Sequence, residues 1–161
     1  MISPGQKIPS VTIKQATAEG GADVDPSVLF AGKKVVMFSL PGAFTPTCSQ
    51  KHLPGYVAKL PELQAQGVDL IACLSVNDAW VMKAWAEQHD ALGKIVMLAD
   101  GSGTFTKALG IELDLGAHAM GLRASRGVIV IEDGTVKSID MEAPGKFEVS
   151  SADACLIGLQ K

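Results

Sequence analysis

The sequence predicts an α/β sandwich with a mixed central sheet, and three observations predict it. Three short, nearly continuous apolar runs (Lys34 to Leu40, Val68 to Val76 and Ile95 to Ala99) each end in turn-forming residues, with helical patterning between them. A two-residue Asp133-Gly134 link joins two further apolar runs. The chain then closes on an amphipathic helix.

Taken in order, Pro4 to Pro9 reads as an irregular entry and Gly20 to Ser27 as a surface loop or hairpin connection, because glycine, aspartate and proline punctuate both. Lys34 to Leu40 has the composition of a strand buried on both faces and ends at Pro41-Gly42, so it is expected at the centre of the sheet. Val68 to Val76 and Ile95 to Ala99 share that character and stop at Asn77-Asp78 and Asp100-Gly101. Between them Asp78 is placed as N-cap of a helix carrying Val81, Ala84, Trp85 and Gln88 at helical spacing. Arg126 to Glu132 and Thr135 to Asp140 flank Asp133-Gly134 as a type I′ hairpin. Ala152, Cys155, Leu156 and Leu159 then fall at i, i+3, i+4 and i+7 behind Ser150-Ser151. Parallel βαβ units followed by a hairpin and a closing helix have the thioredoxin-like fold as their simplest architecture at this length, with one domain spanning residues 1–161.

Composition narrows the function. With 47% hydrophobic and 19% charged residues the chain is expected to be globular rather than disordered. A net charge of -3 with scattered lysines and arginines gives no bulk attraction to nucleic acid or to an anionic membrane. The apolar runs are too short to cross a bilayer. Met1 to Gly5 lacks a basic segment followed by an apolar core, so no secretory signal is expected and the cytoplasmic compartment is. Three cysteines without CxxC spacing argue against a disulfide framework or a zinc site, and His89 and His118 have no ligand-like spacing, so no bound metal or cofactor is expected.

The chemistry concentrates in Pro41-Gly42-Ala43-Phe44-Thr45-Pro46-Thr47-Cys48. Thr45 is a good N-cap and Pro46 suits the first helical position, which puts Cys48 in the first turn of a helix. There the backbone N–H groups and the positive end of the helix dipole favour a thiolate, the form that acts as nucleophile. The strand before the turn ends at Leu40, so the sulfur lies at the C-terminal edge of the sheet, where open α/β folds bind ligands. Pro54, six residues on, removes the backbone bond to Gln50 and should loosen the helix, so that the Cys48 turn can unwind.

Pro41-x-x-x-Thr45-x-x-Cys48 resembles the peroxidatic signature of the peroxiredoxins, and Pro-Gly-Ala-Phe-Thr-Pro-Thr-Cys followed by His52-Leu53-Pro54-Gly55 is similar to the type II, or fifth, subfamily. The resemblance runs on through Ala72 to Ala79, Leu98 to Gly101, Glu132 to Gly134 and Ser150 to Ala152, nearly the whole chain. It implies a thiol peroxidase in which Cys48 attacks the peroxide and becomes a sulfenic acid, Thr45 hydrogen-bonds cysteine and substrate, and Pro41 shields the pocket. Arg126 maps onto the family's catalytic arginine, with Arg123 and Thr47 as supporting residues. A guanidinium suits that role independently, because it stabilises a thiolate and offers donors to the charge developing on the leaving oxygen.

The resemblance also implies an external thiol reductant, glutathione with glutaredoxin or else thioredoxin, and a homodimer. Cys73 is a candidate resolving thiol by the same likeness, although within its strand run it reads as a core residue. Cys155 lies on the apolar stripe of the last helix and reads as packing. Animal members carry a resolving cysteine where this chain has Ser150, which favours recycling by an outside thiol. The apolar loops Pro41 to Thr47 and Leu115 to Leu122 are expected near each other at the dimer edge. Trp80 and Trp85 read as core or edge packing.

Two other functions compete. A thiol-disulfide oxidoreductase or redox-binding module on the same fold would need a CxxC, and Thr45 stands where its attacking cysteine would be. A cysteine hydrolase would use His52, one turn from Cys48, as base, but no acid is evident to orient that imidazole.

Overall fold

The computed structural model describes residues Met1–Lys161. The first paired elements are β1 (Ile13–Thr17) and β2 (Gly20–Val24), an antiparallel hairpin, followed by the short helix α1 (Pro26–Leu29), capped by the Asp25 side chain. Gly20 to Val24 is therefore an edge strand rather than a loop. Gly21 has a packing reason, since a Cβ there would come within 2.9 Å of the Ala79 Cβ on the helix lying over it.

Lys34–Ser39 forms β3, as its apolar run predicts, and leads through a π turn at Cys48–His52 into α2 (Leu53–Ala58) and α3 (Leu60–Ala65). Leu70–Ser75 forms β4, Ala79–Gln88 forms α4 with Asp78 accepting from the Val81 N–H, and Val96–Ala99 forms β5. Strands β3, β4 and β5 are parallel neighbours, the βαβαβ core that the sequence predicts. Next come α5 (Thr104–Leu109) and a separate two-stranded hairpin of β6 (Glu112–Leu115) and β7 (Gly121–Ala124). The ends of the expected Leu115 to Leu122 loop thus belong to strands, with a short helical turn at Gly116–His118 between them.

Gly127–Glu132 (β8) and Thr135–Met141 (β9) form the hairpin closed by Asp133 and Gly134, whose φ values of 48° and 73° are those of a type I′ turn. The last helix, α6 (Ala152–Leu159), is capped by Ser151 accepting from the Ala154 N–H. The main sheet runs β2-β1-β5-β4-β3-β8-β9, with β8 antiparallel to β3.

Because β3 is central, its side chains alternate between two cores. Val36, Phe38 and Leu40 face one side with Cys48, Leu53, Tyr56, Cys73, Trp85 and Cys155; Val35 and Met37 face the other with Leu74, Phe105 and Ile129. The first face carries the cysteine turn. The β8 strand brings the residue just before it, Arg126, to that turn from the opposite end of the sequence.

The tight turn at Asp133-Gly134 sets the register of β8 against β9. Gly134→Ala, placing a Cβ on a left-handed residue, is expected to lower unfolding free energy by about 1 kcal/mol without changing the fold, read by urea denaturation.

Candidate active site around Cys48

Beyond β3 the chain turns sharply. Phe44 sits at φ 64°, and both the backbone N–H and the hydroxyl of Thr45 donate to the Gly42 carbonyl, at 3.4 and 2.7 Å. Pro46 opens the helical segment as expected. The Thr45 hydroxyl, however, is a donor within the preceding turn instead of an acceptor from the helix N–H groups, because the tight turn puts the Gly42 carbonyl closer. Its oxygen lone pairs remain available to an incoming O–H. The Ala43 N–H donates to Asn77 Oδ1 at 2.9 Å, and Ser75 Oγ donates to the same oxygen at 2.6 Å, so the end of β4 fixes the loop.

Cys48 opens the π turn. The Leu53 N–H reaches back five residues to the Cys48 carbonyl, and Pro54 follows immediately in the first turn of α2. The missing N–H of Pro54 thus coincides with a wide turn, the form taken by the expected loosening. Trp85, fully buried on α4, holds this turn from the other side by donating its Nε1–H to Ser49 Oγ at 3.0 Å. Trp80 contradicts the packing expectation: at the second position of α4 it points away from the buried Ala79, Met82, Trp85 and Ala86 and is 74% exposed.

The Cys48 sulfur is fully buried and accepts from Arg126 Nη2 at 3.0 Å. Arg126 Nη1 donates to His52 Nδ1 at 2.9 Å, and the Phe147 ring lies 5.9 Å from the guanidinium carbon. Since a guanidinium only donates, His52 Nδ1 is the lone-pair nitrogen; its proton resides on Nε2 and goes to the Ser150 carbonyl at 3.0 Å. Burial and the neighbouring Arg126 charge push the His52 pKa down to about 3. A base whose lone pair is already bound by Arg126 cannot take a proton from Cys48, so the cysteine hydrolase alternative fails on geometry and charge.

The Tyr56 hydroxyl also donates to the Ser150 carbonyl, at 2.8 Å, while its ring stacks on Phe38 with centroids 4.1 Å apart. The loop carrying that carbonyl is gathered by Glu142. Burial works against the carboxylate, but hydrogen bonds from Ser150, Val149 and Glu148 outweigh it and hold Glu142 below its ordinary pKa. In the sequence Asn77 marks only a turn and Glu142 carries no signal, because their partners lie 34 and up to eight residues away with no repeating pattern to mark them.

Pro41, Thr47 and Arg126 line one pocket of about 180 Å³ with Leu113, Phe147 and the 143–146 turn. Arg123 stands back from the sulfur. It donates from Nε to the Met120 carbonyl at 2.9 Å and from Nη1 to the Pro41 carbonyl at 3.2 Å, which joins the two loops expected to be neighbours. The Cys48 sulfur reaches this pocket only through Arg126, being itself buried behind the lining, and Cys73, on β4, and Cys155, on α6, are likewise buried and unpaired. Burial raises Cys73 well above its ordinary pKa and Cys155 to about 11. His89 packs edge-on to Trp85, and His118 is exposed in the turn before β7.

Comparison with known proteins gives consistent results. The redoxin family profile matches residues 3–156. The chain is 47% identical over 162 residues to the chloroplastic peroxiredoxin-2E of Arabidopsis thaliana, covering 98% of this chain and 69% of that one. Among solved structures it resembles reduced Prx3 of Vibrio vulnificus in complex with H2O2, with TM-score 0.94 and 53% identity over 99% of each chain. It resembles oxidized Prx3 of the same organism with TM-score 0.89 and 52% identity over 98% of this chain and 99% of that one.

His52 should stay neutral across pH 5 to 8, with the proton on Nε2. A ¹⁵N NMR titration is expected to show no midpoint in that range; a midpoint near the ordinary value of 6.5 would contradict the geometry. By linkage, this group's stabilising share is complete above pH 6.5 and declines as pH falls toward 3, with a slope of up to about 1.4 kcal/mol per pH unit.

Proposed function

The chain belongs to the type II peroxiredoxins and is a thiol-dependent peroxidase of antioxidant function; on that premise we propose that Cys48 is the peroxidatic sulfur, served by Arg126, Thr45 and Pro41. The observation that carries this assignment is the 3.0 Å approach of Arg126 Nη2 to a fully buried Cys48 sulfur, which sets a charged donor against the sulfur and beside any oxygen bound there. The thiolate attacks one peroxide oxygen: an S–O bond forms, the O–O bond breaks, and sulfur gives up two electrons to become sulfenic acid. The departing alkoxide or hydroxide takes up a proton and leaves as alcohol or water. Arg126 offsets the charge growing on the leaving oxygen. Thr45, with its hydrogen directed at Gly42, accepts from the peroxide O–H. Pro41 and Thr47 wall the pocket, and Arg123 fixes Pro41.

For recycling, an outside thiol, glutathione with glutaredoxin or else thioredoxin, attacks the sulfenic sulfur, releasing water and leaving a mixed disulfide. A second thiol then frees Cys48. Support comes from the burial of Cys73 and Cys155, which keeps both protonated and poor nucleophiles in the folded chain. Cys73, in the core beside β3, is the candidate internal resolving thiol, one that could act only once the π turn unwinds. A homodimer through the edge of Phe44 and the 116–119 turn is supported by the half-exposed Phe44 ring and by the Arg123 link between those loops. Three unpaired cysteines suit a reducing compartment such as the cytoplasm.

Mixing reduced protein with stoichiometric hydrogen peroxide should add one oxygen to Cys48, followed by mass spectrometry. Cys48→Ser should abolish turnover, and Arg126→Ala should slow the reaction about 10²- to 10³-fold. Turnover intact in Cys48→Ser would refute the assignment.

In a coupled assay, Cys73→Ser should leave glutathione/glutaredoxin-driven turnover within about twofold of the parent if recycling is external. Loss of that turnover would assign resolution to Cys73 instead.

A further inference from the structure

Beyond the residues around the sulfur lies a carboxylate whose contacts are unusual for a side chain on the outer strand. Glu142 follows β9 directly, and its own backbone N–H donates to the Arg126 carbonyl at 2.9 Å. Its Oε1 accepts four hydrogen bonds: the N–H groups of Glu148, Val149 and Ser150 at 2.7, 2.7 and 2.8 Å and the Ser150 hydroxyl at 2.9 Å. Three successive N–H groups converging on one oxygen fix the loop that enters α6, a segment with no regular structure of its own to hold it. The element so fixed ends in the Ser150 carbonyl, which accepts from His52 Nε2 and from Tyr56.

That carbonyl decides the state of His52. With its proton held on Nε2, the imidazole presents a lone pair at Nδ1 and receives Arg126 Nη1, which leaves Nη2 aimed at the sulfur. Were the loop to drift, the ring would be free to rotate or to carry its proton on Nδ1, where it would oppose the guanidinium. Glu142 therefore grips both ends of the same device: the main chain at Arg126 directly, and the far end of the His52 bridge through the loop.

We propose that Glu142 is a positioning residue for peroxide reduction, acting through the Ser150 carbonyl and His52 to aim Arg126 at Cys48. The inference rests on the assignment of Cys48 and Arg126 above and adds a control point that makes no hydrogen bond to the sulfur, at the rim of the pocket that Pro41, Thr47 and Arg126 also line. The carboxylate is well suited, because only a charged acceptor satisfies so many donors on one oxygen, whereas an amide oxygen holds them more weakly.

The test compares the parent, Glu142→Gln and Glu142→Ala as full chains, well below their melting temperatures. Stopped-flow oxidation of Cys48 by hydrogen peroxide should slow about tenfold in Glu142→Ala and less in Glu142→Gln, which keeps the shape and one oxygen. In parallel, NMR hydrogen exchange at the His52 Nε2–H should accelerate about tenfold in Glu142→Ala, as its acceptor loosens. A merely structural role would lower thermal stability while leaving both readouts of the folded fraction unchanged. Rates within twofold of the parent, or slowed oxidation with the Nε2–H still protected, would overturn the inference. If Glu142→Ala does not fold, Glu142→Gln decides alone on the same two readouts, with a threefold change as the threshold. A parent protein that fails to react with peroxide would instead condemn the Cys48 assignment, so the two failures are distinguishable.

Discussion

A positive charge set against a sulfur that water does not reach is the constraint around which this molecule is arranged. Cys48 is fully buried, and the only charge-bearing group hydrogen-bonded to it is Arg126. A guanidinium in such a place must itself be supported without being neutralised. A carboxylate at position 52 would hold Arg126 firmly but cancel the charge that the sulfur needs. Neutral His52 supplies a lone pair alone, and burial beside the Arg126 charge favours that neutral form. Phe147 adds the negative face of its ring on another side. Support by an uncharged acceptor and a π face leaves the full positive charge directed at Cys48 and at whatever oxygen binds beside it.

On the proposed assignment, a second constraint is that the sulfur must be held firmly for the first half of the cycle and released for the second. The π turn serves both. It is fastened by the Leu53 N–H to Cys48 carbonyl bond and by the Trp85 indole on Ser49, yet it is followed by Pro54, which contributes no N–H to the helical ladder.

How much of this was legible in the sequence follows from the range of each interaction. Strands β3, β4 and β5 are apolar for the simple reason that both faces are covered, and their composition declares it. Asp133-Gly134 declares its turn because two consecutive left-handed residues are needed there. The edge hairpins β1-β2 and β6-β7 declare little: they are short, half exposed and glycine-rich, and Gly21 is explained only by the approach of Ala79. Thr45 and Pro46 place Cys48 at a helix start by local rules. Arg126, 78 residues away from the sulfur, is reached from the sequence only through family likeness, and the roles of Asn77 and Glu142 depend on loop geometry that no periodicity encodes.

Three chemically identical thiols occupy one apolar core, and only Cys48 accepts a hydrogen bond from a cationic side chain. Burial alone raises a thiol's pKa, as it does for Cys73 and Cys155, so the interior that protects these cysteines also silences them. On the proposed assignment, what singles out Cys48 is therefore not the core but the Arg126 contact that crosses into it. On that same assignment the cycle is coupled to motion, because a neutral sulfenic acid accepts from Arg126 more weakly than a thiolate does, and the π turn is then freer to open when a reducing thiol approaches.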